Sequence, residues 1–152
     1  MHKMIATAAA MLAGLALAGG ALAEDKSSQI YTAWATHEGG EVTFFDCGEQ
    51  LCGKITKLKP PGPDVPTEDI HNPDPEMRDR PLLGLVMFTG FEKDGDGKWE
   101  DGEIYNTTNG KTYRSKLKIK DDGTLKMSGC VMFICESYDW HNADSAGASA
   151  GE

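Results

Sequence analysis

The chain has 152 residues and carries 24 acidic against 15 basic side chains, a net charge of −9 at neutral pH. A balance that negative opposes binding to nucleic acid or to an anionic lipid surface. The acids are scattered without a long run of like charge, so their plainest role is solubility.

Residues 1–23 read as a cleavable secretory signal peptide. His2 and Lys3 form a short basic start, and Met4 to Leu22 is an uncharged run dominated by Ala, Leu and Gly. Ala21-Leu22-Ala23 supplies the small-x-small motif of a signal peptidase site, and Glu24-Asp25-Lys26 turns abruptly polar. The run is nearly long enough to span a bilayer, but its Ala and Gly content and terminal motif favour a leader over an anchor. Cleavage after Ala23 would place the remaining chain in the periplasm or outside the cell. No Cys lies near the cleavage site and no second apolar run approaches spanning length, so the mature chain is expected not to be membrane-embedded. Residues 24–152 are about one domain's worth of chain.

The mature chain shows short period-two alternations separated by Gly, Asp, Asn and Pro clusters, which is the pattern of antiparallel β structure. Strands are expected at Gln29–Thr36, Glu41–Cys47 and Leu51–Leu58. A proline-rich loop, Lys59 to Pro81, follows; its length marks it as more than a turn. Leu82–Phe91 is apolar on both faces and reads as a central strand. Lys98–Glu100 with Glu103–Asn106 comes next. The clearest strand is Lys111–Lys120, with Tyr113, Ser115, Leu117 and Ile119 on one face and a basic opposite face. Asp121-Asp122-Gly123 turns the chain, Thr124–Ser128 returns, and Val131–Trp140 closes the series. Asn142–Glu152 is small and polar and is expected to be a disordered tail. No stretch of the mature chain shows an amphipathic helical period. About eight strands at regular spacing fit a sandwich or an up-and-down barrel, which removes sheet edges by closure.

Four cysteines form two C-x4-C pairs: Cys47 with Cys52, and Cys130 with Cys135. An even count in a small exported domain implies disulfides, and the spacing suits neither a redox C-x-x-C nor zinc knuckles. Gly48-Glu49-Gln50-Leu51 is a plausible turn that would bring Cys47 to Cys52. Val131-Met132-Phe133-Ile134 has no turn residue. A straight strand from Cys130 to Cys135 would span roughly 16 Å, whereas bridged Cα atoms lie within about 7 Å. Either the chain reverses inside that apolar run, or the bridges cross between pairs. The local pairing is preferred.

Several strings resemble the bacterial exported family DUF2147. They are Cys47-Gly48-Glu49-Gln50-Leu51-Cys52-Gly53-Lys54-Ile55, Asn72-Pro73-Asp74-Pro75, and Arg78-Asp79-Arg80-Pro81-Leu82-Leu83-Gly84-Leu85. Gly102-Glu103-Ile104-Tyr105, Asn109-Gly110-Lys111-Thr112-Tyr113, Gly129-Cys130 and Trp140 continue the match in order. The resemblance implies an all-β, lipocalin-like (calycin-type) barrel over residues 24–141, with an interior able to hold a ligand. It implies no activity. Two places depart from the family pattern: Thr32-Ala33-Trp34 stands for the opening Gly-x-Trp, and Trp140-His141-Asn142 for the closing Trp-Thr-Arg. In calycins that Trp and Arg close one barrel end; His141 is the candidate cation here.

Candidate chemistry is sparse. Asp94-Gly95-Asp96-Gly97-Lys98 begins like a calcium loop, but the positions needing Gly and Glu hold Trp99 and Tyr105. A Gly-Asp hairpin is the better reading. His37, His71 and His141 lack metal-ligand spacing, no G-x-S-x-G elbow occurs, and no phosphate loop precedes a helix. The chain is therefore expected to be no enzyme and to need no cofactor or metal. What remains is an aromatic and arginine set: Trp34, Trp99, Tyr105, Tyr113 and Trp140 as lumen walls, Arg78 and Arg80 as a fork at its mouth, and Asn72 beside them. Such a set suits a small apolar or amphiphilic ligand with an anionic head. The competing expectation is that the rings fill a closed core, that Asn72 caps its Asn-Pro turn, and that the arginines pair with Asp74, Glu76 or Asp79 to pin the loop. The two functional expectations are a ligand-binding barrel and a non-enzymatic envelope interaction module.

Overall fold

The computed structural model describes residues 25–148; the expected leader and the last four residues lie outside them. Eight antiparallel strands close into a barrel in simple sequential order. They are β1 (Ala33–Ala35), β2 (Glu41–Cys47), β3 (Gln50–Lys57), β4 (Val86–Lys93), β5 (Lys98–Asn106), β6 (Lys111–Ile119), β7 (Leu125–Val131) and β8 (Ile134–Asn142). Period-two patterning places the lumen face: along β6, Ser115, Leu117 and Ile119 are buried while Arg114, Lys116 and Lys118 are exposed.

Five elements depart from the sequence expectation: Val131–Trp140 is not one strand, since Val131 ends β7 and β8 begins at Ile134, and four others differ as follows. Gln29–Tyr31 is not strand; Lys26–Tyr31 forms a 3-10 helix whose N-cap, Asp25, accepts a bond from the Ser27 amide at 2.9 Å. The central strand begins at Val86, because Leu82 to Leu85 make a turn. β5 is one strand with an irregularity between Trp99 and Gly102, where Asp101 takes a positive φ. Asn142 ends β8, and Ala143–Ala148 form a short helix, α1, where disorder is expected from the sequence.

Alternating connections give the barrel two unlike ends. At the helix end, the 3-10 helix sits across the β4–β5 and β6–β7 turns. The Gly97 amide donates to Ser27 Oγ at 2.9 Å, the Ser27 amide donates to Asp96 at 3.2 Å, and Lys26 pairs with Asp121. Ile30 is fully buried beneath it, and the Trp34 indole donates to the Ile30 carbonyl at 3.0 Å. At the loop end stand the β1–β2 turn, the segment between β3 and β4, the β5–β6 turn and the β7–β8 tip.

Aromatic rings fill the space between. The Phe88 ring lies 5.2 Å from Phe44, 6.0 Å from Phe91 and 5.8 Å from Trp140, edge-on to the last. The wall thins to admit them: a Cβ on Gly53 would meet the Phe44 ring at 2.8 Å, and one on Gly102 would overlap Phe91. Each such fully buried ring contributes roughly 1.5–3 kcal/mol.

Both disulfides are local. Cys47–Cys52 braces the β2–β3 hairpin, and Cys130–Cys135 joins residues directly opposite across β7 and β8. The apolar run does reverse, with Met132 and Phe133 as a two-residue turn between paired Val131 and Ile134.

Candidate functional site at the loop end of the barrel

The loop begins where β3 ends and is pinned by one carboxylate. Asp69 is completely buried. Its Oδ2 accepts from Asn72 Nδ2, Arg80 Nε and Arg80 Nη2, each at 2.8 Å, and its Oδ1 accepts from the Tyr105 hydroxyl at 2.8 Å. Burial alone would raise the Asp69 pKa, but the bonds from Asn72, Tyr105 and Arg80 outweigh it and hold the carboxyl below its ordinary value. Burial and the facing carboxylate raise the Tyr105 pKa. Arg80 also lies over the Tyr105 ring at 5.5 Å. The backbone repeats the pattern: the Asp69 amide donates to the Arg80 carbonyl, and Leu82 donates to Thr67.

Arg78 donates from Nε to the Asn72 carbonyl at 2.8 Å, while Asn72 Oδ1 accepts from the Asp74 amide at 2.9 Å, the turn-capping bond expected for an Asn-Pro turn. The loop is further seated on the β5–β6 turn. A Cβ on Gly110, which has φ +68°, would overlap the His71 carbonyl.

The eight sequence-selected residues therefore divide into two groups. Trp34, Trp99 and Trp140 are buried in the core, and Tyr113 packs partly buried against it, its hydroxyl accepting from Asn109 at 2.8 Å. Asn72, Arg78, Arg80 and Tyr105 gather in the loop network. Arg80 pairs with Asp69 rather than with Asp74, Glu76 or Asp79; Asp69 is the residue the sequence reading missed. His141 is exposed and pairs with Ala35 across the β1–β8 seam. Among the described residues, no cluster of three His, Cys, Asp or Glu side chains could hold a metal.

Two further features bear on the site, the first of them midway along β6. Ser115 Oγ is buried without a hydrogen-bond partner among the described residues, and beside it Gly129 has no atom closer than 4.0 Å to the place of a Cβ. Exposed apolar side chains occur in two separate places: Ile70, Met77, Leu83 and Val86 in the loop and early β4, and Val131 to Ile134 at the β7–β8 tip. The sequence shows that tip as an unbroken apolar run, without showing that it is exposed. No described helix is long and apolar enough to cross a membrane.

Comparison with known structures finds a similar barrel, described as protein HP1028 from the human pathogen Helicobacter pylori, belonging to the lipocalin family. The likeness has a TM-score of 0.68 at 19% identity and covers 80% of this chain and 87% of that one. At that identity it shows the fold, a lipocalin-like barrel. No curated protein matches the sequence. The family model described as "Uncharacterized protein conserved in bacteria (DUF2147)" matches residues 32–142, and the chain belongs to that family.

Proposed function

We propose that the chain is an exported, non-enzymatic interaction module: its barrel is a filled scaffold, and recognition takes place at the loop end. The observation that carries this is the packed lumen. Phe44, Phe88, Phe91 and the three buried tryptophans occupy the space a deep ligand would need, and Gly53 and Gly102 bring the wall onto the rings. Two disulfides in a bacterial chain, together with leader-like residues 1–23, support an oxidising address such as the periplasm. The Arg78–Arg80 segment serves to hold the loop, because Arg80 already spends its guanidinium on Asp69.

A second reading rests on Ser115. Its unpartnered hydroxyl beside Gly129 would suit the polar atom of a small apolar or amphiphilic molecule entering the loop end, and a lipocalin-like barrel is compatible with such binding. Native mass spectrometry of protein purified from its own host separates the two. The scaffold reading expects the bare polypeptide mass and tryptophan emission unmoved by a panel of fatty acids. A retained small molecule, or emission quenched by the panel, overturns it in favour of the second.

A further inference from the structure

The β7–β8 tip carries four consecutive apolar side chains into solvent: Val131 is 57% exposed, Met132 84%, Phe133 96% and Ile134 78%. Soluble hairpins ordinarily put Gly, Asn or Asp in such a turn. Here Met132 holds φ +53°, a conformation unfavourable for a side chain with a Cβ. The tip thus keeps an apolar residue where a polar or flexible one would be more stable. The Cys130–Cys135 bridge, with Cα atoms 4.0 Å apart, fixes the two strands immediately below it. Strained backbone held by a cross-link points to a role for what it displays.

We infer that this tip is a membrane finger that inserts into the interfacial region of a lipid bilayer. The inference rests on the reading of the loop end as the recognition surface and names its partner. Two observations choose a bilayer over a protein. First, the four side chains form one narrow tip that by itself falls short of the roughly 800 Å² per partner of a standard protein interface, whereas binding at a bilayer interface scales with the apolar area inserted. Second, the depth fits. The first charged side chain on β8 is Glu136, and on the neighbouring β6 Arg114 lies opposite Cys130. Glu136 lies three residue steps beyond Phe133, about 10 Å of strand, close to the roughly 5–10 Å of interfacial insertion. Insertion draws on apolar transfer, not charge, because the chain is acidic.

Sedimentation with phosphatidylcholine vesicles tests this on the disulfide-intact chain. Binding is expected, unchanged by added salt, and weaker on vesicles containing phosphatidylglycerol until salt screens the repulsion. Phe133→Ser should weaken it at least roughly tenfold with an unaltered melting temperature. Phe133→Trp should show a blue-shifted emission quenched by acyl-chain bromine. No sedimentation, binding abolished by salt, or Phe133→Ser binding as well as the parent overturns the inference. A small molecule found in the lumen would overturn the filled-scaffold reading but leave these vesicle outcomes to be read on their own.

Discussion

The two ends of the barrel solve opposite problems with similar materials. The helix end is sealed by short polar contacts: Ser27 to Asp96 and Gly97, Lys26 to Asp121, Lys120 to Asp139 and Asp122. Most of those charges are exposed, so individually they contribute little. What holds this end is the burial of Ile30 and Trp34 beneath the helix. The loop end inverts the arrangement. Its polar network is buried around Asp69, and its apolar side chains face water. A buried, fully bonded carboxylate lets a proline-rich loop stay ordered without a core of its own, which leaves the surface above it free to be apolar.

Breaking the loop network should have the largest effect. Asp69→Ala strips Arg80, Tyr105 and Asn72 of their shared acceptor and should cost about 3–5 kcal/mol, read by urea unfolding, with early protease cleavage between residues 59 and 81. A variant cleaved no faster than the parent would mean the loop is held by other contacts. Overpacking the wall comes next. Gly102→Ala drives a methyl into the Phe91 ring and should cost roughly 1–3 kcal/mol; a neutral result would show that the core has room to move. At the helix end, Ser27→Ala removes the acceptor of the Gly97 amide and should cost about 1 kcal/mol, visible as a small drop in melting temperature without new protease sites in the loop. The smallest effect belongs to Phe133→Ser, within about 0.5 kcal/mol, because that ring touches so little.

Acid weakens both ends in the same direction. The folded Asp69 pKa lies below its unfolded value, so its stabilisation is full above about pH 4 and is lost as pH falls through the lower, folded value. Asp122, held at about 2 by the Thr124 hydroxyl and amide at the β6–β7 turn, behaves in the same direction. Stability should therefore fall in acid, and Asp69→Asn should flatten that fall. An equal slope in the variant would assign the acid sensitivity elsewhere.

Much of this was legible in the residues, and the exceptions have physical causes. The alternation along β6 and the turn at Asp121-Asp122-Gly123 follow from period and turn chemistry, and the Gly48–Leu51 turn favours the Cys47–Cys52 bridge, whereas reach leaves the Cys130–Cys135 pairing open against crossed bridges. Gln29–Thr36 misleads because Ile30 and Trp34 alternate as a strand would, while the Asp25 cap and the docking contacts of Ser27 turn its first half into helix. The reversal at Met132-Phe133 is silent because none of its residues is a turn former; only the geometric limit on a Cys130–Cys135 bridge hints at it. Asp69 is hidden among the loop's many acids, since burial of one carboxylate depends on Arg80 and Tyr105, 11 and 36 residues away.

Hydrogen exchange on the disulfide-intact protein, with and without phosphatidylcholine vesicles, tests the central claim most directly. The account predicts new protection confined to the β7–β8 tip and its neighbours at the loop end, with β2, β4 and the helix end unchanged. Protection spreading along the lumen-facing strands β2 and β4, or no protection at the tip, would contradict a filled scaffold that binds through its loop end.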